Sequence, residues 1–225
     1  MKILFYSLVL MLLSSCIEII DDVSMNNDGS GTVKYTINLS SSKIKVNSYL
    51  ALDSLNGKKV PSIQDIETKI EEYQKKLQNK EGISNVLVES NFTDFIFKFQ
   101  CDFENVQLLQ KAIKDIVASE NKDWVNDEHV WLTWNENEFS RSTPALSSTI
   151  SDRLKRDDIE LLKNGSYISI TRFEKPIEKQ TNANAKISAN RLAVMIRTNP
   201  YLLTQNTEIL KNTIYLSQIK KQVKN

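Results

Sequence analysis

Residues 62–103 read SIQDIETKIEEYQKKLQNKEGISNVLVESNFTDFIFKFQCDF, and the fold turns on them. Ser62 stands where a side chain can accept from the free backbone N–H groups that open a helix. Ile63, Ile66, Ile70, Tyr73 and Leu77 then recur at steps of three and four, which places them on one stripe and predicts an amphipathic helix ended by Gly82. On its outer face Glu71 with Lys75, and Glu72 with Lys76, have the i,i+4 spacing that supports a helix weakly. Ile83 to Glu89 changes to a strand pattern, and Asn91 to Asp94 supplies a turn. Phe95 to Phe103 then alternates Phe95, Phe97, Phe99, Cys101 and Phe103 with Ile96, Lys98, Gln100 and Asp102. A strand with so much phenylalanine on one face belongs in the middle of a sheet, under cover.

Working outward, Ile17 to Met25 suits a strand, Asn26-Asn27-Asp28-Gly29 is a turn signal, and Thr32 to Leu39 alternates Val33, Tyr35, Ile37 and Leu39. An antiparallel hairpin is expected. Ser40 to Val60 is less regular, although Val46, Tyr49, Leu50 and Leu55 could line a short helix before Gly57 and Pro61. Downstream, Asn105 can cap a second helix carrying Val106, Leu109, Ile113 and Ile116, and His129 to Trp134 supplies a further strand. The order β-α-β-β-α-β predicts an α+β domain of ferredoxin-like arrangement, an antiparallel sheet with two helices on one face, over residues 16–135. Residues 136–225 read as a β-rich extension packed on it: a helix around Ile150 to Leu162, strands at Tyr167 to Phe173, Leu192 to Arg197 and Ile214 to Ile219, and a helical turn at Leu202 and Leu203 after Pro200. Glu174 to Lys186, polar and aperiodic, is expected to be a mobile loop.

The first residues speak of address. Lys2 is followed by an apolar run from Ile3 to Leu13 and by Ser14 and Ser15, the three-part order of a secretory leader, here residues 1–15. The run of 11 is too short to remain as a spanning helix, which needs about 20. Leu13-Ser14-Ser15-Cys16 resembles the lipobox of bacterial lipoproteins. That resemblance implies cleavage between Ser15 and Cys16 and a diacylglycerol thioether on Cys16, with further acylation holding the chain firmly to a membrane. Ile17 after the cysteine, in place of an aspartate, points to the outer membrane of a Gram-negative bacterium.

Cleavage at that point would leave 210 residues with 28 basic and 28 acidic side chains. No basic excess marks a nucleic-acid binder; only Lys220, Lys221 and Lys224 cluster, at the tail. With 5 Gly and 4 Pro the chain is neither linker nor collagen-like. Once Cys16 carries lipid, Cys101 has no cysteine left to pair with.

Catalytic constellations are sparse. Asn26-Asn27-Asp28-Gly29-Ser30-Gly31 superficially resembles a calcium loop, but the position that should hold a bidentate glutamate is Tyr35, so a plain turn is expected and no metal. Cys101, set among Phe97, Phe99 and Phe103, reads as core rather than as a reactive thiol. His129 is the sole histidine, which excludes sites built from two; beside Asp127 and Glu128 it reads as a strand cap. GxSxG, HExxH, a phosphate-cradling glycine loop and CxxC are all missing. Trp124, Trp131 and Trp134 with Phe139 could stack on a sugar or peptide, yet Trp131 and Trp134 fall on opposite strand faces, so at least one belongs to the core.

The lipobox, the acidic-apolar first strand, the Asp28-Gly29-Ser30-Gly31 hairpin and the following α+β pattern together resemble uncharacterised bacterial lipoproteins with an LppM-like domain, mainly over the first third of the chain. The resemblance implies an envelope protein of unknown role and brings no catalytic residues. The expectation is a non-enzymatic, cofactor-free envelope lipoprotein, anchored through lipid on Cys16, that binds a protein, peptide or glycan partner and no nucleic acid. The alternative is a carboxylate-dependent hydrolase of cell-wall or imported glycan, since such chemistry needs only two acids about 5 to 10 Å apart.

Overall fold

A computed structural model describes residues 17–55, 57–120, 128–143, 156–206 and 208–218. Residues 1–16, Trp124, Asp127, the start of the helix expected from Ile150 and the lysine-bearing tail lie outside them, and with them the leader, Ser15 and Cys16. Among the described residues the chain is mixed α+β and mostly β, with five helices and several sheets.

The first half contains β1 (Glu18–Met25), β2 (Gly31–Asn38), α1 (Lys43–Leu50), β3 (Ser54–Leu55), β4 (Lys58–Lys59), α2 (Ile63–Gln78), β5 (Ile83–Asn91), β6 (Ile96–Phe103) and α3 (Val106–Glu120). There follow β7 (Leu132–Asn135), β8 (Glu138–Arg141), α4 (Arg156–Lys163), β9 (Ser166–Phe173), β10 (Ile177–Gln180), β11 (Lys186–Ile187), β12 (Ala193–Thr198), α5 (Pro200–Gln205) and β13 (Asn212–Leu216). A seven-stranded sheet has the order β11-β12-β9-β1-β2-β6-β5, a four-stranded sheet the order β10-β13-β8-β7, and β3 with β4 form a small hairpin.

Two expectations about the sheet change. The strand after the second helix, β7, joins the four-stranded sheet rather than the one that holds β1, β2, β5 and β6, so the ferredoxin-like order is not the one the strands make. Nor is the large sheet purely antiparallel: β1 pairs with β9 in parallel, Asp21 facing Ser169 and Val23 facing Thr171. The large sheet thus takes strands from both sides of residue 135.

Local sequence explains most elements. Ser62 accepts from the Asp65 N–H while the Asp65 carboxylate accepts from the Ser62 N–H, a reciprocal cap that starts α2. Asn105 accepts from Leu108 N–H at 2.9 Å and opens α3. The ion pairs of α2 differ from those expected: Lys69 meets Glu72 within the helix, and Lys69 and Lys76 both reach Glu120 of α3. Phe95 lies in the turn before β6 with φ +53° and its ring buried, so the strand starts one residue later than its alternation suggests.

The polar stretch Glu174 to Lys186 is not a loop throughout, for it contains β10 and the start of β11. Side-chain amides supply the order that periodicity does not show. Asn182 donates to the Ile209 and Lys211 carbonyls at 3.1 and 2.9 Å, and Asn212, fully buried, accepts from the N–H groups of Thr181 and Asn182.

One face of the large sheet carries the core. Val23, Met25, Val33, Cys101, Phe103 and Phe173 pack there with Leu77, Val106 and Leu109 from the helices and Phe139, Ile177 and Ile214 from the smaller sheet. A second cluster gathers Tyr167, Ile196, Leu203 and Leu210. No buried side chain of either cluster precedes Val23. Gln110 joins the layers: its buried amide donates to the Leu132 carbonyl at 2.9 Å and accepts from the N–H groups of Trp131 and Leu132, so it serves the edge of β7 as a strand would.

Candidate functional site

Adjacent residues across the large sheet form a row, Ser169–Asp21–Tyr35–Phe99–Val88, on the core face. The row is polar at one end and apolar at the other, and each end has its own cover.

At the polar end β8 extends Arg141 from the smaller sheet. Its Nη2 donates to Asp21 Oδ2 at 2.6 Å and its Nη1 to Thr171 Oγ1 at 3.3 Å, while Tyr167 OH donates to the same Asp21 oxygen at 2.8 Å. Arg141 is 4% exposed, so the pair sits where each charge would be costly without the other. Burial pushes the Tyr167 hydroxyl well above its usual value, and the Asp21 charge pushes it further the same way. Nothing in the sequence pattern exposes this cluster, because Asp21 fills a slot that the alternation of Ile19, Val23 and Met25 reserves for an apolar residue. Phe139 of β8 meets Phe173 of β9 edge-on at 5.7 Å beside it, so the cluster acts as a joint between the two sheets.

At the apolar end the cover stands off. Between α2, α3 and the sheet lies a groove of about 460 Å³, floored by Tyr35, Ile37, Phe97 and Phe99 and walled by Ile66, Ile70 and Tyr73 of α2 and Ile113, Ile116 and Val117 of α3. This is why Phe97 and Phe99, expected to be covered, are only half-buried. On the solvent side Lys69 and Lys76 of α2 reach Glu120 at 2.9 Å and the Ser119 hydroxyl at 3.1 Å, and Lys80 in the turn after α2 reaches Asp115 of α3 at 2.7 Å. The hydrogen bond to Glu120 raises the Lys69 ammonium, and the same bond holds the Glu120 carboxyl below its usual range. Tyr73 beneath them is raised by burial and then by the Glu120 charge.

The groove offers little chemistry and much apolar surface. Its titratable lining residues are Tyr35, Tyr73 and Lys98, and Lys98 is drawn to Glu89 at 2.9 Å. Gln74, the one amide in the lining, already donates to the Val86 carbonyl. Burial and the nearby Asp21 charge raise Tyr35.

The residues singled out in the sequence are scattered rather than gathered. Cys101 is wholly buried, and that burial, with a contribution from Asp102, pushes its thiol up to about 12. His129 Nε2 lies 2.9 Å from the Thr143 carbonyl and its ring stacks on Trp131 at 6.3 Å. Trp131 is buried, whereas Trp134 is half-buried and lies over Gly29 of the hairpin turn. In that turn Asp28 accepts from the Ser30 N–H and hydroxyl, which lowers its carboxyl. Among the described residues no group of three or more His, Cys, Asp or Glu is placed to hold a metal ion, and no helix is long and apolar enough to cross a membrane. Asp22 is held by Arg172, and Asp102 by Thr32 and Asn85.

No family model and no curated protein matches the chain. Among solved structures the NMR structure of the folded domain of LppM from Mycobacterium tuberculosis is similar at TM-score 0.40 and 8% identity, covering 92% of this chain and 93% of that one. It carries no residue's role over to this chain.

Proposed function

We propose that the chain is a lipid-anchored envelope lipoprotein that acts by binding rather than by catalysis, and that the groove under α2 and α3 holds an acyl chain. The leader and Cys16 support the anchor, and Ile17 supports delivery to the outer membrane of a Gram-negative bacterium. The observation that carries the ligand class is the composition of the groove. A peptide or sugar seated there would bury backbone or hydroxyl groups with almost nothing to bond, at a cost of about 1–3 kcal/mol each. A hydrocarbon chain needs no such partners and contributes about 0.8 kcal/mol for each methylene withdrawn from water, so six methylenes offset about 5 kcal/mol of ordering cost.

The test is a fluorescence titration of the mature chain, carrying Cys16→Ser to remove its own lipid, with the conjugated fatty acid cis-parinaric acid. Saturable binding is expected, weakened at least tenfold by Ile70→Glu or Phe97→Glu in variants whose far-ultraviolet circular dichroism is unchanged. No saturable binding, or binding indifferent to both substitutions, would sink the reading.

A further inference from the structure

Large apolar side chains are exposed unevenly. Nine such residues stand out among those described, and six of them, Ile44, Tyr49, Leu52, Leu55, Ile63 and Leu202, belong to segments at one end of the large sheet. The strand register defines that end. Glu18 at the start of β1 faces Asn38 at the end of β2 and Ser166 at the start of β9, and Tyr167 faces Thr198 at the end of β12. The α1 segment, the β3–β4 hairpin and the first turn of α2 follow β2 from there, and α5 follows β12. The hairpin turn at the opposite end, Asn26 to Ser30, contributes none of the nine.

The same end receives the N-terminal segment. Ile17 enters the sheet there, its carbonyl accepting from Ser166 N–H at 2.7 Å, with residues 1–16 before it. No side chain of α1 is buried, and Ile44 is 85% exposed. An eight-residue helix and a hairpin of two-residue strands have no core of their own and depend on what they lie against. From residue 43 through the first turn of α2 the chain carries Lys43, Lys45, Lys58 and Lys59 against Asp53 and Asp65, and Asp65 is occupied in capping α2 with Ser62. Lysines interleaved with apolar tips suit a bilayer interface, where the stems lie among the acyl boundary and the ammonium groups meet headgroup phosphates.

We propose that this end of the molecule is a second membrane contact, an interfacial tip that seats Ile44, Leu52 and Leu55 in the headgroup region of an anionic lipid surface. The inference rests on the reading of Cys16 as an anchor, because the tether is what brings this end to the bilayer. The acyl chains on Cys16 supply the attachment, and a basic apolar patch beside them fixes which end of the body faces the bilayer.

The test supplies the tether artificially. The mature chain with a hexahistidine tag in place of Cys16 is held by nickel-chelating lipid on vesicles of phosphatidylcholine and phosphatidylglycerol, with an environment-sensitive thiol dye on Leu52→Cys or, as a control at the far end, on Asn27→Cys. Cys101 is buried and does not compete for the dye. Acyl-brominated lipids should quench the dye at position 52 at least threefold more than at 27, and the combined Lys45→Gln, Lys58→Gln and Lys59→Gln variant should lose half or more of that difference. Lys43 is left in place because it also pairs with Asp94 at 3.2 Å. If Leu52→Cys does not fold, Leu55→Cys takes its place. Equal quenching at the two ends, or quenching indifferent to phosphatidylglycerol, would overturn the proposal. Mass spectrometry of native material reads the anchor separately: an unmodified Cys16 would remove the tether and leave the vesicle result standing.

Discussion

At the scale of single residues, the buried thiol bears on how stability depends on pH and the buried ion pair on what an unpaired charge costs. Burial holds the Cys101 thiol at about 12 in the folded chain against an ordinary value of 9.0, so the unfolded chain loses this proton first. The group's contribution is complete below about pH 9 and is lost as pH rises towards 12. Tyr35 and Tyr167, also raised, act in the same direction at the upper end of that window. The unfolding midpoint temperature should therefore fall steadily above pH 9, and Cys101→Ala should flatten part of the fall. An unchanged slope in calorimetric scans of that variant would mean that the thiol ionises as freely in the fold as outside it. The Asp21–Arg141 pair gives a different expectation. Asp21→Ala leaves a guanidinium buried without its carboxylate and should cost about 3–5 kcal/mol in urea unfolding. Replacing both partners, Asp21→Leu with Arg141→Met, should recover most of the loss; if it does not, the pair is more than a joint between layers. Neither partner was legible in the sequence, since the two lie 120 positions apart and each looks like an interruption in its own strand.

Among elements, legibility follows how local the cause is. The stripe of α2, its reciprocal cap and the alternation of β6 are each written within a few residues, and the structure keeps them with small shifts at the ends. β10 and β11 are not written that way. They exist because Asn182 and Asn212 tie backbone that is far apart in the chain, and a polar stretch ordered by distant amides looks the same in sequence as one that is not ordered. The first hairpin depends on a close approach rather than on its turn alone. A Cβ on Gly31 would be driven into the Ser24 carbonyl oxygen and against the Phe103 ring, so the strands could not keep their register around it. Gly31→Ala should lower stability by about 1–3 kcal/mol, the usual cost of overpacking. Gly57→Ala, with open space around it but φ +75°, should cost only its backbone strain and is the comparison to measure beside it.

Over the whole molecule, the pattern that predicted α+β also suggested a ferredoxin-like closure, and the reason it misled is physical. A short strand with alternating apolar residues fits the edge of either sheet equally well; what holds β7 in the smaller one is its hairpin with β8, and Gln110 of α3 bonds its other edge. The groove was half legible for a similar reason. Alternation reveals that β6 turns phenylalanine to one side, but periodicity carries no distance, so it cannot tell a tight cover from one that stands away and leaves room. The clustering of exposed Ile44, Leu52 and Leu55 at the end where the chain enters could not be read before the register of β1, β2 and β9 was known. That register has a further effect, on the order of assembly. β1 is an interior strand whose second neighbour, β9, is made about 140 residues later, a pairing of high contact order. A chain crossing a membrane N-terminus first would present β1, β2, β6 and β5 as a sheet whose β1 edge stays unpaired until β9 arrives. For a chain exported as proposed, folding would wait on the delivery of its later half, and a chaperone that shields that edge would act on β1 rather than on any loop.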